Sequence, residues 1–107
     1  MTSAFTETIE ALAARIESRR SANTAESWSA RLVSDHTLAA KKLAEEAVET
    51  ALAAVQGDRA AVVTESADLV YHWLALLAAL HVDLDEIAAE LRSREGRSGI
   101  EERRGRS

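Results

Sequence analysis

The chain has 107 residues, of which 47% are hydrophobic and 29% charged, and its formal net charge at pH 7 is -5. This length fits one domain with a small core, and the acidic balance argues against a nucleic-acid-binding protein, because phosphate contacts need a basic surface. The chain contains no cysteine, which excludes disulfides and thiolate metal sites, and its lack of proline and wealth of helix formers favour an all-α fold.

The first predicted helix spans residues 2–18, where Phe5, Ile9, Leu12 and Ile16 recur at helical spacing. A membrane-surface helix would carry a basic polar face, which this one lacks. The segment also lacks the basic start and apolar core of a signal peptide, so we expect a cytoplasmic protein. The longest apolar run in the chain is too short to span a bilayer, so we expect no membrane partner.

A short second helix is predicted after a polar loop at residues 19–26. Ser27 is a suitable N-cap for it, and the helix ends near Ser34. Trp28 and Leu32 lie on one side of this helix. For Trp28 we favour packing against the following helices over direct contact with a ligand.

Two long helices are predicted at residues 36–56 and 59–80. Asp35 is a good N-cap for the first, and Gly57 followed by Asp58 combines a helix stop with the N-cap of the second. The two helices therefore form an antiparallel hairpin. The second helix becomes apolar nearly all round and must be covered on every side. A homodimer that packs hairpin against hairpin into a helix bundle would provide this cover.

The last predicted helix begins after Asp83, which with Glu86 three residues later resembles a capping box. The hydrophobic period ends after about Arg94. We therefore expect a single domain over residues 1–95 and a flexible tail over residues 96–107.

Five carboxylates interrupt the otherwise apolar hairpin. They are Glu45, Glu46, Glu49, Glu65 and Asp68. Residues three or four apart share one side of a helix. Glu49 and Glu65 each lie 8 residues from the turn glycine, and Glu46 and Asp68 each lie 11 residues from it. An antiparallel hairpin therefore sets Glu49 beside Glu65 and Glu46 beside Asp68, so that four side chains can converge.

Converging carboxylates in apolar surroundings indicate a bound cation, because like charges repel and buried charges lose hydration. Ligation by oxygen alone favours Mg²⁺, with Mn²⁺ as an alternative, over zinc. Mg²⁺ held by carboxylates usually takes phosphate oxygens as further ligands, so the pattern points to phosphate chemistry. The run E-E-A-V-E alone is typical of a solvated helix face. The mirror-placed second cluster shifts our interpretation to a metal site.

The chain resembles the phosphoribosyl-ATP pyrophosphohydrolases of histidine biosynthesis in the segments S-W-S-A-R-L, K-K-L-A-E-E-A-V-E, E-S-A-D-L-V-Y-H and R-x-G-x-S-G. The resemblance covers nearly the whole chain. The E-E-x-x-E and E-x-x-D pieces are shared with the wider MazG-like all-α nucleotide pyrophosphohydrolases, so they specify metal chemistry more firmly than substrate. Ala44 departs from the family, which commonly has glycine before the paired glutamates.

The resemblance implies a reaction and a set of site residues. The reaction is Mg²⁺-dependent hydrolysis of 1-(5-phosphoribosyl)-ATP to 1-(5-phosphoribosyl)-AMP and pyrophosphate, the second step of the pathway. The metal ligands would be drawn from Glu46, Glu49, Glu65 and Asp68. Glu45 would be either an additional ligand or a base for water.

Three further residues are candidates for contact with the nucleotide substrate. Lys42, one turn before the paired glutamates, can act as a point charge on a phosphate. His72 continues the face of Glu65 and is a candidate substrate contact, with a buried structural histidine as the alternative. Arg94 and residues 98–99 match the family's tail and either close over the substrate or form a frayed terminus.

Two other functions stay open at this point. One is a house-cleaning nucleoside triphosphate pyrophosphohydrolase of the same superfamily, which would prefer ordinary or damaged nucleoside triphosphates. The other is a non-catalytic helical dimer whose acidic face binds a partner, and which would show no metal-dependent hydrolysis.

Overall fold

A computed structural model describes residues 3–96, which form five α-helices and no strand. The helices are α1 (Ala4–Ser18), α2 (Trp28–Ser34), α3 (His36–Val55), α4 (Arg59–Ala79) and α5 (Leu84–Ser93). The predicted all-α fold is confirmed, and each helix lies where the sequence predicts it, with small differences at the ends. The tail predicted at residues 96–107 falls, apart from Gly96, outside the described residues.

A side-chain cap fixes the start of every described helix. The caps are Ser3, Ser27, Asp35, Asp58 and Asp83. Each accepts a hydrogen bond from a backbone N–H of the first turn, a group that would otherwise have no intrahelical partner. The side chain of Glu86 bonds back to the backbone N–H of Asp83 at 2.8 Å, which completes the predicted capping box.

The turn between α3 and α4 is closed by two backbone hydrogen bonds around Gly57. This glycine has a left-handed φ of 73°. Its N–H donates to the carbonyl of Ala54, and the N–H of Asp58 donates to the carbonyl of Ala53, each at 3.1 Å. These are the two bonds of the Schellman motif. Helix α4 therefore folds back along α3, and the two form the most extensive helix pair in the described chain.

The hydrophobic core lies at the end of the hairpin away from this turn. Its buried residues come from α1, α2, α3 and the second half of α4. They are Ile16, Leu32, Val33, Ala39, Leu74 and Ala75. The tip of the hairpin, which we define as residues 47–64, extends beyond this core, and much of its surface is exposed. None of the helices within residues 3–96 combines the length and apolarity needed to cross a membrane.

Candidate functional site

Three carboxylates from the two hairpin helices meet beside the α3–α4 contact. Glu46 and Glu49 lie one turn apart on α3, and Glu65 comes from the first half of α4. One oxygen from each lies within 4.8 Å of the other two. A single hard cation can be bound by oxygens at this separation. We call these three residues the acidic cluster. The structure thus brings together three of the four carboxylates that the sequence predicts to converge.

Two oxygens of the acidic cluster are buried and have no hydrogen-bond partner in the described part of the chain. Glu46 is only 7% exposed. Its Oε2, and Oε2 of Glu65, have no hydrogen-bond partner among residues 3–96. Leaving a buried polar group unsatisfied costs about 1–3 kcal/mol, and more when the group is charged. Carboxylate oxygens are the ligands that Mg²⁺ and Mn²⁺ prefer. The residues present therefore fit a hard divalent cation.

Crowding changes the protonation of the acidic cluster. Burial raises the pKa of Glu46, and the nearby carboxylates of Glu49 and Asp68 add to the effect. A hydrogen bond shared with Glu49, followed by burial and by the proximity of Glu46, raises the pKa of Glu65 to about 7. Carboxylates this close cannot all ionise without strong repulsion. A proton therefore partly offsets the charge near neutral pH when no cation is bound.

Two predicted carboxylates lie next to the acidic cluster rather than in it. Asp68 is exposed on α4, although its charge still acts on Glu46. Glu45 is half-buried and forms an ion pair with Lys42, with 3.0 Å between the carboxylate oxygen and Nζ. Its hydrogen bond with Lys42 lowers the pKa of Glu45 and raises that of Lys42. The ion pair of Glu45 and Lys42 therefore places one acidic and one basic side chain at the edge of the acidic cluster.

His72 is buried against the acidic cluster, with only 7% of its surface exposed. Its Nδ1 lies 2.8 Å from the backbone carbonyl oxygen of Asp68 and 4.0 Å from Oε1 of Glu46. Its Nε2 accepts a hydrogen bond from the indole N–H of Trp28 at 3.2 Å. Both ring nitrogens therefore have partners inside the chain, as the structural alternative requires. The substrate contact of His72 stays a prediction.

The hydrogen bond of Trp28 is the feature of the site that the sequence does not predict. Trp28 and His72 lie 44 residues apart, and the S-W-S segment is the only local signal at this position. The predicted packing of Trp28 against the hairpin agrees with its contact with His72. The specific polar contact can be read only from the folded chain.

Arg94 lies at the end of α5, away from the hairpin in sequence. It is the C-cap residue of this helix, and its guanidinium forms an ion pair with Glu90 at 2.9 Å. Residues 98–99, predicted to close over the substrate together with Arg94, lie outside the described residues. The substrate contact of Arg94 stays a prediction.

The raised pKa of Glu65 predicts how pH acts on the metal-free protein. The native state holds a proton on Glu65 up to a pKa of about 7, whereas the unfolded chain releases it near the ordinary value of 4.5. Between these values the native state binds more protons than the unfolded state. The free energy of unfolding therefore falls as pH rises through this window. Glu65→Gln should flatten that fall and raise the melting temperature at the upper end of the window.

Thermal denaturation in the presence of a chelator, across this pH window, measures the effect. Glu10→Gln is the matched control, because it removes the same charge from the exposed face of α1 and should leave the pH dependence unchanged. A Glu65→Gln variant with the same pH dependence as the wild type would contradict the prediction.

Comparison with known proteins shows the family of the chain. The chain matches the family model described as phosphoribosyl-ATP pyrophosphohydrolase over residues 9–95. A phosphoribosyl-ATP pyrophosphatase of Caulobacter vibrioides is 50% identical over 107 residues, which cover 100% of both chains. The protein of the same name from Caulobacter sp. (strain K31) is 52% identical over 94% of this chain and 94% of the relative. That from Parvibaculum lavamentivorans is 51% identical over 85% of this chain and 84% of the relative. The resemblance read from the four sequence segments is confirmed: the chain belongs to the phosphoribosyl-ATP pyrophosphohydrolase family and is a hydrolase.

Proposed function

We propose that the chain hydrolyses 1-(5-phosphoribosyl)-ATP to 1-(5-phosphoribosyl)-AMP and pyrophosphate with Mg²⁺ as cofactor, the second step of histidine biosynthesis, in the cytoplasm. The observation that carries the proposal is Glu46, a buried carboxylate that faces Glu49 and Glu65 and has an oxygen without a partner among residues 3–96. A cation would satisfy that oxygen and offset the repulsion. The names of the relatives support the choice of substrate.

The acidic cluster provides three of the proposed ligands. Glu46 and Glu49 of α3 and Glu65 of α4 would hold the ion between the two helices. Asp68, one turn after Glu65, is the proposed fourth ligand, available from the exposed side. When bound, Mg²⁺ would neutralise negative charge on the phosphates and lower the pKa of a bound water. The ligands lie on long helices rather than on loops, which limits their movement.

The proposed reaction joins a water oxygen to the α-phosphorus. The bond from the α-phosphorus to the oxygen that bridges to the β-phosphorus breaks, and pyrophosphate leaves. A carboxylate beside the water accepts its proton and orients it. We assign this role to Glu45, which adjoins the acidic cluster without belonging to it. The hydrogen bond from Lys42 lowers the pKa of Glu45 and so keeps it ionised.

Two basic residues are proposed to contact the substrate. Lys42 lies beside the acidic cluster and carries a compact charge on a flexible stem, which suits a phosphate. Its present partner is Glu45, so contact with a phosphate would be made in place of, or together with, that ion pair. Arg94 is proposed on the resemblance alone.

We further propose that a second copy of the chain covers the hairpin tip. Val48, Leu52 and Val55 follow one another along α3 and are 58%, 54% and 85% exposed, and Val63 on α4 is 65% exposed. Contiguous exposed apolar surface of this kind is typical of an interface. Val48 also lines a shallow groove together with Glu49. The proposed homodimer interface therefore adjoins the acidic cluster.

Pyrophosphate release in the presence of Mg²⁺ tests the reaction. We expect the wild type to prefer phosphoribosyl-ATP over ATP and deoxynucleoside triphosphates. Glu49→Gln should lower turnover by about 100-fold or more, because it removes a charged ligand, while the circular dichroism spectrum stays that of the wild type. Glu10→Gln should leave turnover unchanged. A preference for deoxynucleoside triphosphates would support the house-cleaning alternative, and a lack of metal-dependent hydrolysis would support the non-catalytic one.

Sedimentation equilibrium tests the dimer. We expect the wild type to be a dimer and Leu52→Glu to be a monomer, because a charge at this position would be buried without a partner in the interface. Leu91→Glu is the matched control, since Leu91 is 61% exposed on α5, outside the hairpin tip. It should remain a dimer. A monomeric wild type, or dissociation by both substitutions alike, would contradict the proposed interface.

A further inference from the structure

Trp28 and His72 form a polar contact behind the acidic cluster. Trp28 opens α2, and His72 lies in the buried second half of α4. The indole N–H donates to Nε2 of His72 at 3.2 Å. The two rings meet edge-on, with 6.3 Å between their centroids and 78° between their planes.

The partners of the two ring nitrogens show which nitrogen of His72 carries the proton. The indole nitrogen of tryptophan can only donate a hydrogen bond, so Nε2 of His72 must present its lone pair. Nδ1 lies 2.8 Å from the carbonyl oxygen of Asp68. A carbonyl oxygen can only accept, so Nδ1 must carry the hydrogen. The two contacts together select the Nδ1–H tautomer of a neutral ring.

The protonated edge of the ring faces Glu46. Nδ1 lies 4.0 Å from Oε1 of this carboxylate, and both residues are only 7% exposed. In the other tautomer, the Nδ1 lone pair would face the Asp68 carbonyl oxygen and the Glu46 carboxylate. Both contacts would be repulsive in surroundings that exclude water. The carboxylate or the ring would then have to move.

We propose that Trp28 is a positioning residue: by holding the ring of His72 with its Nδ1–H edge toward Glu46, it keeps Glu46 oriented toward Glu49 and Glu65. This inference rests on the proposed function, because it assigns the purpose of the contact to the metal site. Residues that contact the metal ligands, but not the metal, orient those ligands and so change the affinity for the metal. Trp28 acts through His72 and contacts neither the ion nor the substrate.

Trp28→Phe removes the indole N–H and keeps an aromatic ring. Tyr71→Phe is the matched control: it removes a different hydrogen bond between the same two helices, the one between the hydroxyls of Tyr71 and Ser29. It keeps the ring that packs edge-on against His72, with 5.0 Å between the ring centroids. A general loosening of α2 on α4 should appear in both variants. Loss of the positioning contact should appear only in Trp28→Phe.

Three measurements on the full chain separate these outcomes. In the metal-free protein with ¹⁵N-labelled histidine, the Nδ1–H hydrogen of His72 should exchange slowly with water in the wild type and in Tyr71→Phe, and faster in Trp28→Phe, where the ring is no longer held at Nε2. The dissociation constant of Mg²⁺, measured by calorimetry, should rise about 10-fold in Trp28→Phe alone. Turnover should fall in that variant with little change in KM, because the substrate itself is not contacted.

A second pair of variants serves if Trp28→Phe does not fold. The side-chain amide of His72→Asn can place an N–H near the position of Nδ1, whereas His72→Leu cannot. We expect His72→Asn to keep a higher Mg²⁺ affinity than His72→Leu. Equal affinities of these two would overturn the inference.

The inference is also overturned if the Nδ1–H hydrogen of His72 exchanges no faster in Trp28→Phe than in Tyr71→Phe, or if Trp28→Phe weakens Mg²⁺ binding no more than Tyr71→Phe does. Either result would leave the proposed function intact, provided that the wild type binds Mg²⁺ and hydrolyses phosphoribosyl-ATP. A wild type that does neither would reject the proposed function and, with it, the purpose assigned to Trp28.

Discussion

The burial of Glu46 among other carboxylates is the constraint on which the rest of the structure depends. The residue is 7% exposed, and an oxygen of its carboxylate has no hydrogen-bond partner in the described chain. Burial raises the pKa of Glu46, and the neighbouring carboxylates of Glu49 and Asp68 raise it further. A fold that retains such a group gives up stability at this place, as proteins do at functional sites. The capped hairpin and the core at its far end provide the stability that holds the three side chains together.

The features set by local sequence could be predicted. Caps such as Asp35 and the stop at Gly57 depend on residue type and short spacing alone, and the structure contains them as expected. The convergence of Glu49 and Glu65 follows from the same turn. Two helices joined by so short a connection set side by side the positions that lie equally far from it. Chain geometry near the turn therefore determined much of the site.

The features set by the rotation and packing of whole helices could not be predicted. Asp68, expected beside Glu46, is exposed and lies outside the group of three carboxylates whose oxygens meet, although its charge acts on Glu46. The hydrogen bond between Trp28 and His72 joins residues that lie 44 positions apart. Helical periodicity shows which face a side chain occupies, but it does not show which residue of another helix faces it.

The central claim is that the acidic cluster binds a hard divalent cation. Diffraction from crystals soaked in Mn²⁺, recorded near the manganese absorption edge, tests this claim most directly, because the anomalous signal locates the ion independently of any assay. Our account predicts a peak in contact with carboxylate oxygens of Glu46, Glu49 and Glu65. A peak elsewhere, or no peak at Mn²⁺ concentrations that support hydrolysis in solution, would contradict it.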